Sequence, residues 1–180
     1  MVKEKNMKKK INIIDIVVIV VIVLAVAAIA VKVLGNKVTD AVSAKEDCYA
    51  EVAIVGAQPR IFNEVLRQDL VGGRMVSGNE YLSATVEDVW LEDYIIQCET
   101  SEGVTVNSLD PTCKTIIVLV KTQVAPDTPS PKIGSQELRA GKTFIVKTQT
   151  FETSGTIRYV NIGSYESPYE AERQAYKSGK

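Results

Sequence analysis

The sequence predicts a mainly β fold: an N-terminal transmembrane helix, then a small β-barrel-like or β-sandwich domain with one or two short helices. Three observations support it. Residues 13–34 form one apolar segment. Much of the remaining chain consists of runs rich in β-branched and aromatic residues, and turns containing glycine or proline separate these runs. At 180 residues the chain has room for one domain and an anchor.

Five parts are expected along the chain. They are a basic cytoplasmic end (1–12), a transmembrane helix (13–34), a linker (35–47), an extracytoplasmic β domain (48–163) and a polar tail with room for a short helix (164–180). We expect the domain to be held at the membrane by the helix.

The apolar segment is long enough to span a bilayer. Residues 13–34 would form a helix about 33 Å long at about 1.5 Å per residue, against a hydrocarbon core of about 30 Å. Its Val- and Ile-rich composition would favour a strand in water, but a lone strand in lipid leaves its backbone unpaired. Ala28-Ile29-Ala30 resembles a signal-peptidase site, so cleavage after Ala30 stays an alternative to the uncleaved anchor.

The distribution of charge along the chain predicts the orientation of the anchor and argues against nucleic acid as a partner. Residues 1–34 carry six Lys against two acidic residues, mostly before the apolar segment, which predicts a cytoplasmic N-terminus at the plasma membrane. Residues 35–180 carry fifteen Lys or Arg against twenty Asp or Glu. An acidic domain without a basic cluster is a poor match for nucleic acid, so no nucleic-acid partner is expected.

The pattern of the outer part predicts mostly strands. We expect a first strand near 49–55, a short amphipathic helix within 59–70 ended by Gly72-Gly73, a long strand over 80–99 and a turn at 100–103. A central strand at Ile116–Val120, a loop or an edge at 125–131 and a final hairpin turning near Thr153–Gly155 should follow. Ser167-Pro168-x-Glu170 matches a capping box and predicts a helix of about nine residues in the tail.

Two stretches of this region resemble each other. Residues 70–89 and 138–160 both run from Gly and a basic residue through a β segment into a second strand. Such echoes occur in barrels built from duplicated halves, although any two strand–turn–strand segments share part of this pattern.

Catalytic residues are not indicated. The chain has no histidine, which removes the commonest general base and zinc ligand. Cys113, at the start of an apolar strand, resembles a sortase nucleophile, but without histidine that family is excluded. Ser77 lacks a partner lysine and fits a turn beside Gly78. The sequence therefore predicts no catalytic and no cofactor-binding residue, and no enzyme.

The acidic run 87–94 raises the question of a metal site. In a strand, Asp88, Trp90 and Glu92 share one face while the other carboxylates point away, unlike the ligands of a calcium loop. No metal site is predicted, and Trp90 is expected in the core. Cys98 and Cys113 could face each other across a hairpin as a disulfide, or all three cysteines could stay reduced.

The combination of "NIIDIVVIVVIVL" with "KIGSQELRAGKTFIVKTQTFETSGTIRYVNIG" resembles a bacterial family of unknown function that is common in Gram-positive bacteria. In that pattern Ile133-Gly134 precedes the strand Gly141–Val146, and Gly155-Thr156-Ile157 follows it. The resemblance implies a single anchor and a β-rich outer domain, and no activity. The layout is also similar to membrane-proximal parts of transport adaptors and of lipid-transport barrels.

These observations together predict a non-enzymatic envelope protein. Its outer domain is expected to bind another envelope protein as an assembly or transport accessory. The alternative is a module that binds a lipid or small ligand in the mouth of the barrel. A filled interior would argue against that alternative.

Overall fold

The computed structural model describes residues 19–24 and 45–179. Residues 19–24 are helical with exposed side chains, and they belong to a different unit of the chain from residues 45–179. Neither described range contains a helix that is long and apolar enough to cross a membrane. The predicted basic end and most of the predicted anchor and linker lie outside the described residues.

Residues 45–179 are mainly β, as predicted. Their elements are β1 (Glu46–Ala57), α1 (Pro59–Gln68), β2 (Arg74–Ser77), β3 (Glu80–Glu99), β4 (Thr105–Val124), β5 (Lys132–Ile133), β6 (Gln136–Glu137), β7 (Thr143–Lys147), β8 (Glu152–Ile162) and α2 (Glu170–Ser178). The proline-rich stretch 125–131 contains no strand, which confirms the predicted loop.

Six strands form one antiparallel sheet in the order β2-β3-β4-β1-β8-β7, and β5 pairs only with β6. The edge strands β2 and β7 contact each other, so the sheet curls into a nearly closed barrel. β4 lies between β3 and β1, and each residue of Ile116–Val120 is at most 1% exposed. The prediction of a central strand buried on both faces is confirmed.

The barrel is built from two halves with the same strand pairing. Between β1 and β8 the pairs run from Cys48↔Ile162 to Ala53↔Thr156, and one residue of β8, Arg158, is skipped. Between β4 and β3 the equivalent pairs run from Ile116↔Leu91 to Lys121↔Thr85, and Glu87 is skipped at the equivalent place. Both halves therefore carry a β-bulge at the same position, in β3 of the first half and in β8 of the second.

The turn before β2 repeats before β7. Gly72 and Gly141 both have positive φ, 79° and 86°, which favours glycine. The Gly72 N–H donates to Val86 O, and the Gly141 N–H donates to Ile157 O, at 2.8 and 2.7 Å. Val86 and Ile157 are equivalent residues of the two bulged strands. The echo in the sequence is therefore a structural repeat, with β1–α1–β2–β3 matching β4–β5–β6–β7–β8.

Side chains fill the interior of the barrel, and each end is covered. The fully buried residues of the interior include Met75, Ile116, Phe144, Leu138 and Val65. Val65 lies on α1, which follows β1, whereas Leu138 lies in the segment that follows β4. Because β1 and β4 are antiparallel, these two connections cover opposite ends of the barrel.

Two predicted boundaries are wrong. α1 ends at Gln68, where Asp69 takes a left-handed conformation (φ 46°), and Gly72-Gly73 belongs to the next turn. The last hairpin turns at residues 148–151, where the Thr148 N–H donates to Phe151 O at 2.8 Å. The predicted turn, Thr153–Gly155, lies inside β8. Glycine stands there because of close packing rather than because of a turn.

The tail contains the predicted helix without the predicted cap. α2 begins at Glu170, and its N-cap residue is Tyr169, which makes no side-chain capping bond. The Ser167 hydroxyl instead accepts a hydrogen bond from the Tyr169 N–H at 3.1 Å, one residue before the Glu170 N–H that a capping box would use.

Candidate functional site

The outer face of the sheet is covered by the C-terminal segment, residues 164–178. Trp90, Ile117 and Leu119 form a second apolar cluster there, each at most 1% exposed, and Tyr165 and Tyr176 of the segment pack against it. The position of Trp90 in the core is confirmed. The C-terminal segment is therefore part of the folded domain rather than a free tail.

A buried ionic network lies beside this cluster. Glu51 on β1 is fully buried, and its carboxylate accepts hydrogen bonds from Arg158 Nε and from the Tyr165 hydroxyl, both at 2.6 Å. Arg158 also donates two bonds of 2.8 Å to Glu92, which accepts a third from Trp90 Nε1. Burial and the bond to Glu51 raise the pKa of Tyr165 above its ordinary range. Every charge in this network has an opposite partner.

The bulge in β8 explains how Arg158 reaches the network. Because Arg158 is the unpaired residue of the bulge, the alternation of side chains is broken there, and its guanidinium lies on the outer face. Its guanidinium also stacks on the Tyr169 ring, 4.1 Å from the ring centroid. Glu51, Arg158 and Tyr165 were not singled out from the sequence, since the three lie far apart in the chain.

A second set of ion pairs attaches α2 to the sheet. Asp88 accepts hydrogen bonds of 2.6 Å from both Arg173 and Lys177. Burial alone would raise the pKa of Asp88, but the bonds from Lys177 and Arg173 outweigh it and hold that pKa below the ordinary 3.8. Glu170 pairs with Arg173 at 3.1 Å, and its pKa is also lowered. As predicted, Asp88, Trp90 and Glu92 share one face of β3.

The lowered pKa of Asp88 predicts that acid releases α2. A carboxyl group whose pKa is depressed in the folded state stabilises that state above its ordinary pKa, and the stabilisation is lost as pH falls through the folded value. We therefore expect α2 to dock normally at pH 7 and to loosen below about pH 4. Hydrogen exchange of the α2 amides at a series of pH values measures this.

Asp88→Asn removes the carboxylate that pairs with Arg173 and Lys177. Glu170→Gln is its matched control, because it breaks only the more exposed pair between Glu170 and Arg173. Asp88→Asn should weaken docking at pH 7 and remove most of its acid dependence. Acid release that is unchanged in Asp88→Asn would show that another group controls the docking.

The structure places the cysteines apart. Within residues 45–179 all three are free thiols, so the Cys98–Cys113 disulfide considered from the sequence is not formed. Cys98 lies opposite Val106, whereas Cys113 lies in the irregular stretch between Asp110 and Lys114. Cys48 is fully buried, and burial raises the pKa of its thiol to about 11, which makes it unreactive.

The remaining residues singled out in the sequence do not converge. Ser77 ends β2 and pairs with Glu80 across the turn. The carboxylates of Asp88 and Glu92 are bonded to Arg and Lys side chains. In residues 19–24 and 45–179, no three His, Cys, Asp or Glu side chains are grouped in a way that could hold a metal ion.

An open cleft lies between α1 and the β7–β8 turn. Its volume is about 440 Å³, and Ile54, Ala57, Ile61 and Phe151 provide its apolar lining. At its edge Gln68 donates to Glu64 at 2.7 Å, while Gln68 Oε1 is buried without a hydrogen-bond partner in the described part of the chain. The cleft is outside the filled interior of the barrel.

A hairpin that projects from the sheet exposes a group of apolar side chains. β3 and β4 continue to pair from Tyr94↔Asp110 to Glu99↔Thr105, beyond Lys114, the last residue of β4 that is paired with β1. We call residues 94–110 the hairpin arm. Four of its apolar residues are 41–60% exposed: Ile95, Val104, Val106 and Leu109. The second half of the repeat lacks an equivalent, since β8 ends at Ile162.

Comparison with known families agrees with the resemblance seen in the sequence. Residues 3–161 match the family described as Domain of unknown function (DUF4330). The chain belongs to this family. The DUF4330 match ends just before the C-terminal segment, so Tyr165 and α2 lie beyond the matched residues. No curated protein and no solved structure matches the chain.

Proposed function

We propose that the chain is a non-enzymatic, single-pass protein of the bacterial cell envelope. Residues 13–34 would anchor it in the plasma membrane with the N-terminus in the cytoplasm, and the β domain outside would act as an assembly or transport accessory that binds another envelope protein. The length of the apolar segment and the lysines before it support this placement. The absence of histidine from the chain supports a non-enzymatic role.

The hairpin arm is the observation that carries the binding role. A two-stranded ribbon that packs against no third layer is only marginally stable in water, and exposed apolar residues grouped on one element mark interaction sites. The arm extends β4 beyond the end of β1 that carries Ala57, so β1 does not pair with it.

A lipid or small ligand bound by the same domain is the second candidate. The filled barrel leaves no room for a ligand in its interior, but the cleft beside α1 has apolar walls and an unpaired amide oxygen. A ligand there would lie against Ile61 and Phe151.

Purification of the tagged full-length protein from its own membranes in mild detergent tests the proposal. We expect a second envelope protein in stoichiometric amount, which then rebinds to the purified full-length chain. Isolation of the protein alone with a bound lipid or small molecule would contradict the proposal and favour the second candidate. Ile61→Ser should then reduce the amount of bound molecule, whereas Ile145→Ser on the exposed edge strand β7 should not.

A further inference from the structure

The hairpin arm is acidic as well as apolar. Residues 94–113 contain no Lys or Arg, whereas Glu99, Glu102 and Asp110 are acidic. The first cation after the arm, Lys114, is bound to Asp93 at 2.6 Å. Asp110 is occupied locally, since its carboxylate accepts the Thr112 N–H at 2.8 Å. Glu99 and Glu102 are thus the carboxylates at the tip of the arm that are left for a partner.

On one face of the arm, the polarity of the side chains increases from the base to the tip. Ile95 lies opposite Leu109 at the base, Gln97 opposite Asn107 in the middle, and Glu99 opposite Thr105 near the tip. An extended segment lying along this face would meet apolar, amide and acidic groups in turn. Because alternate residues of an added strand point to opposite faces, a ligand that places Lys or Arg on the side of Glu99 places its intervening residues on the side of Ile96, Cys98 and Val106, where apolar residues fit.

The backbone of the arm is open on its outer edges. Residues 94–99 pair only with residues 105–110, while β2 pairs with β3 no further than Thr85 and β1 pairs with β4 no further than Lys114, in the described part of the chain. An exposed strand edge is a template for an added strand, in which main-chain bonds supply affinity and alternate side chains supply specificity.

From the arm's charge, its graded face and its open edges, we propose that the hairpin arm binds an extended segment of a partner protein, with alternating apolar and Lys or Arg residues, by strand addition. This proposal rests on the interaction role proposed above and specifies the partner. The negative charge of the arm argues against two other occupants, a second copy of this chain and an anionic lipid surface. A second copy would bring the same acidic tip against Glu99 and Glu102, and an anionic lipid surface would repel it. A cationic segment is attracted to it, because opposite charges across an interface favour encounter and fix register.

A defined peptide tests this chemistry on the full-length protein in detergent. The probe is a fluorescent peptide of alternating Val and Lys, and binding is followed by anisotropy at low and moderate salt. We expect saturable binding that weakens with salt. A Val-Glu peptide should not bind. An alternating Val-Lys peptide with an N-methyl group on every residue should also fail, because it lacks the N–H donors on both edges of an added strand. Equal binding of the N-methylated peptide would overturn strand addition.

Variants locate the site. Glu99→Gln with Glu102→Gln should weaken binding of the Val-Lys peptide about three- to tenfold and flatten its salt dependence. Ile95→Ser with Leu109→Ser should also weaken it, whereas Ile145→Ser and Glu152→Gln in the β7–β8 hairpin serve as matched controls and should not. Unchanged binding in both arm variants would overturn the proposal.

Copurification of the native partner with the arm variants distinguishes this proposal from the more general interaction role proposed above. If an envelope protein copurifies and the arm variants release it, both stand. If it copurifies equally with the arm variants and the controls, the interaction role stands and the arm is not its site. Self-association or vesicle binding that requires Ile95 and Leu109 would identify the other occupants and overturn the proposed partner.

Discussion

Arg158→Met is expected to destabilise the β domain by about 3–5 kcal/mol, the range for removing one partner of a buried ion pair. The substitution leaves Glu51, which is fully buried, with only the Tyr165 hydroxyl as a partner, and it removes two bonds from Glu92. A methionine side chain replaces the aliphatic part of arginine but cannot compensate either carboxylate. Urea unfolding followed by tryptophan fluorescence measures the loss, since Trp90 is the single tryptophan and lies beside Arg158.

Two control variants show whether the loss of stability in Arg158→Met comes from the buried ion pairs. Arg158→Lys keeps the charge but loses the two-pronged contact with Glu92, so it should fall between wild type and Arg158→Met. Lys114→Ala breaks the exposed pair with Asp93 and should cost less than about 1 kcal/mol. A cost for Arg158→Met as small as that of Lys114→Ala would mean that water or a local rearrangement solvates Glu51.

Strand content could be predicted from the sequence because it depends on local pattern. The run 80–99 and the apolar stretch Ile116–Val120 have strand character whatever surrounds them, and both are strands in the structure. The loop at 125–131 follows from its three prolines in the same way. The repeat was visible as an echo because a turn that needs glycine at positive φ occurs in both halves, at Gly72 and Gly141.

The ionic network could not be predicted, because it depends on which strands become neighbours. Glu51 meets Arg158 across 107 positions of sequence and Tyr165 across 114. Nothing local distinguishes Arg158 from other exposed arginines until the bulge turns it toward the outer face. A signal was present at Glu51, since a carboxylate between Tyr49 and Ala53 on one face of a strand predicts either an edge position or a buried partner.

The hairpin arm shows the same division between local and non-local information. Its strands were expected from β propensity and its turn from "TSEG" at residues 100–103. The projection of the arm beyond the rest of the sheet could not be predicted, because a strand pattern does not show where the neighbouring strands end. β1 stops pairing at Lys114, and this end, rather than any residue of the arm, leaves Ile95 and Leu109 exposed.

Gly155→Ala should destabilise the domain by about 3 kcal/mol, at the upper end of the range for overpacking. A Cβ at Gly155 would lie 2.7 Å from the Ala53 carbonyl oxygen and 2.7 Å from Val52 Cγ1. The Val52 side chain can rotate, but the carbonyl oxygen belongs to the backbone of β1, so relief requires β1 and β8 to separate. The urea midpoint should fall with little change in the m-value.

The repeat supplies the matched control at the equivalent position of the other half. Ala84 occupies on β3 the place that Gly155 occupies on β8, and its Cβ is accommodated with the residue 1% exposed. Ala84→Gly should therefore cost only about 0.5–1 kcal/mol, the price of glycine in a strand. A Gly155→Ala variant as stable as the wild type would mean that the two halves have the same spacing at this position. A larger effect of Gly155→Ala means that the repeat is symmetric in hydrogen bonding but not in packing, and that β8 lies closer to β1 than β3 does to β4.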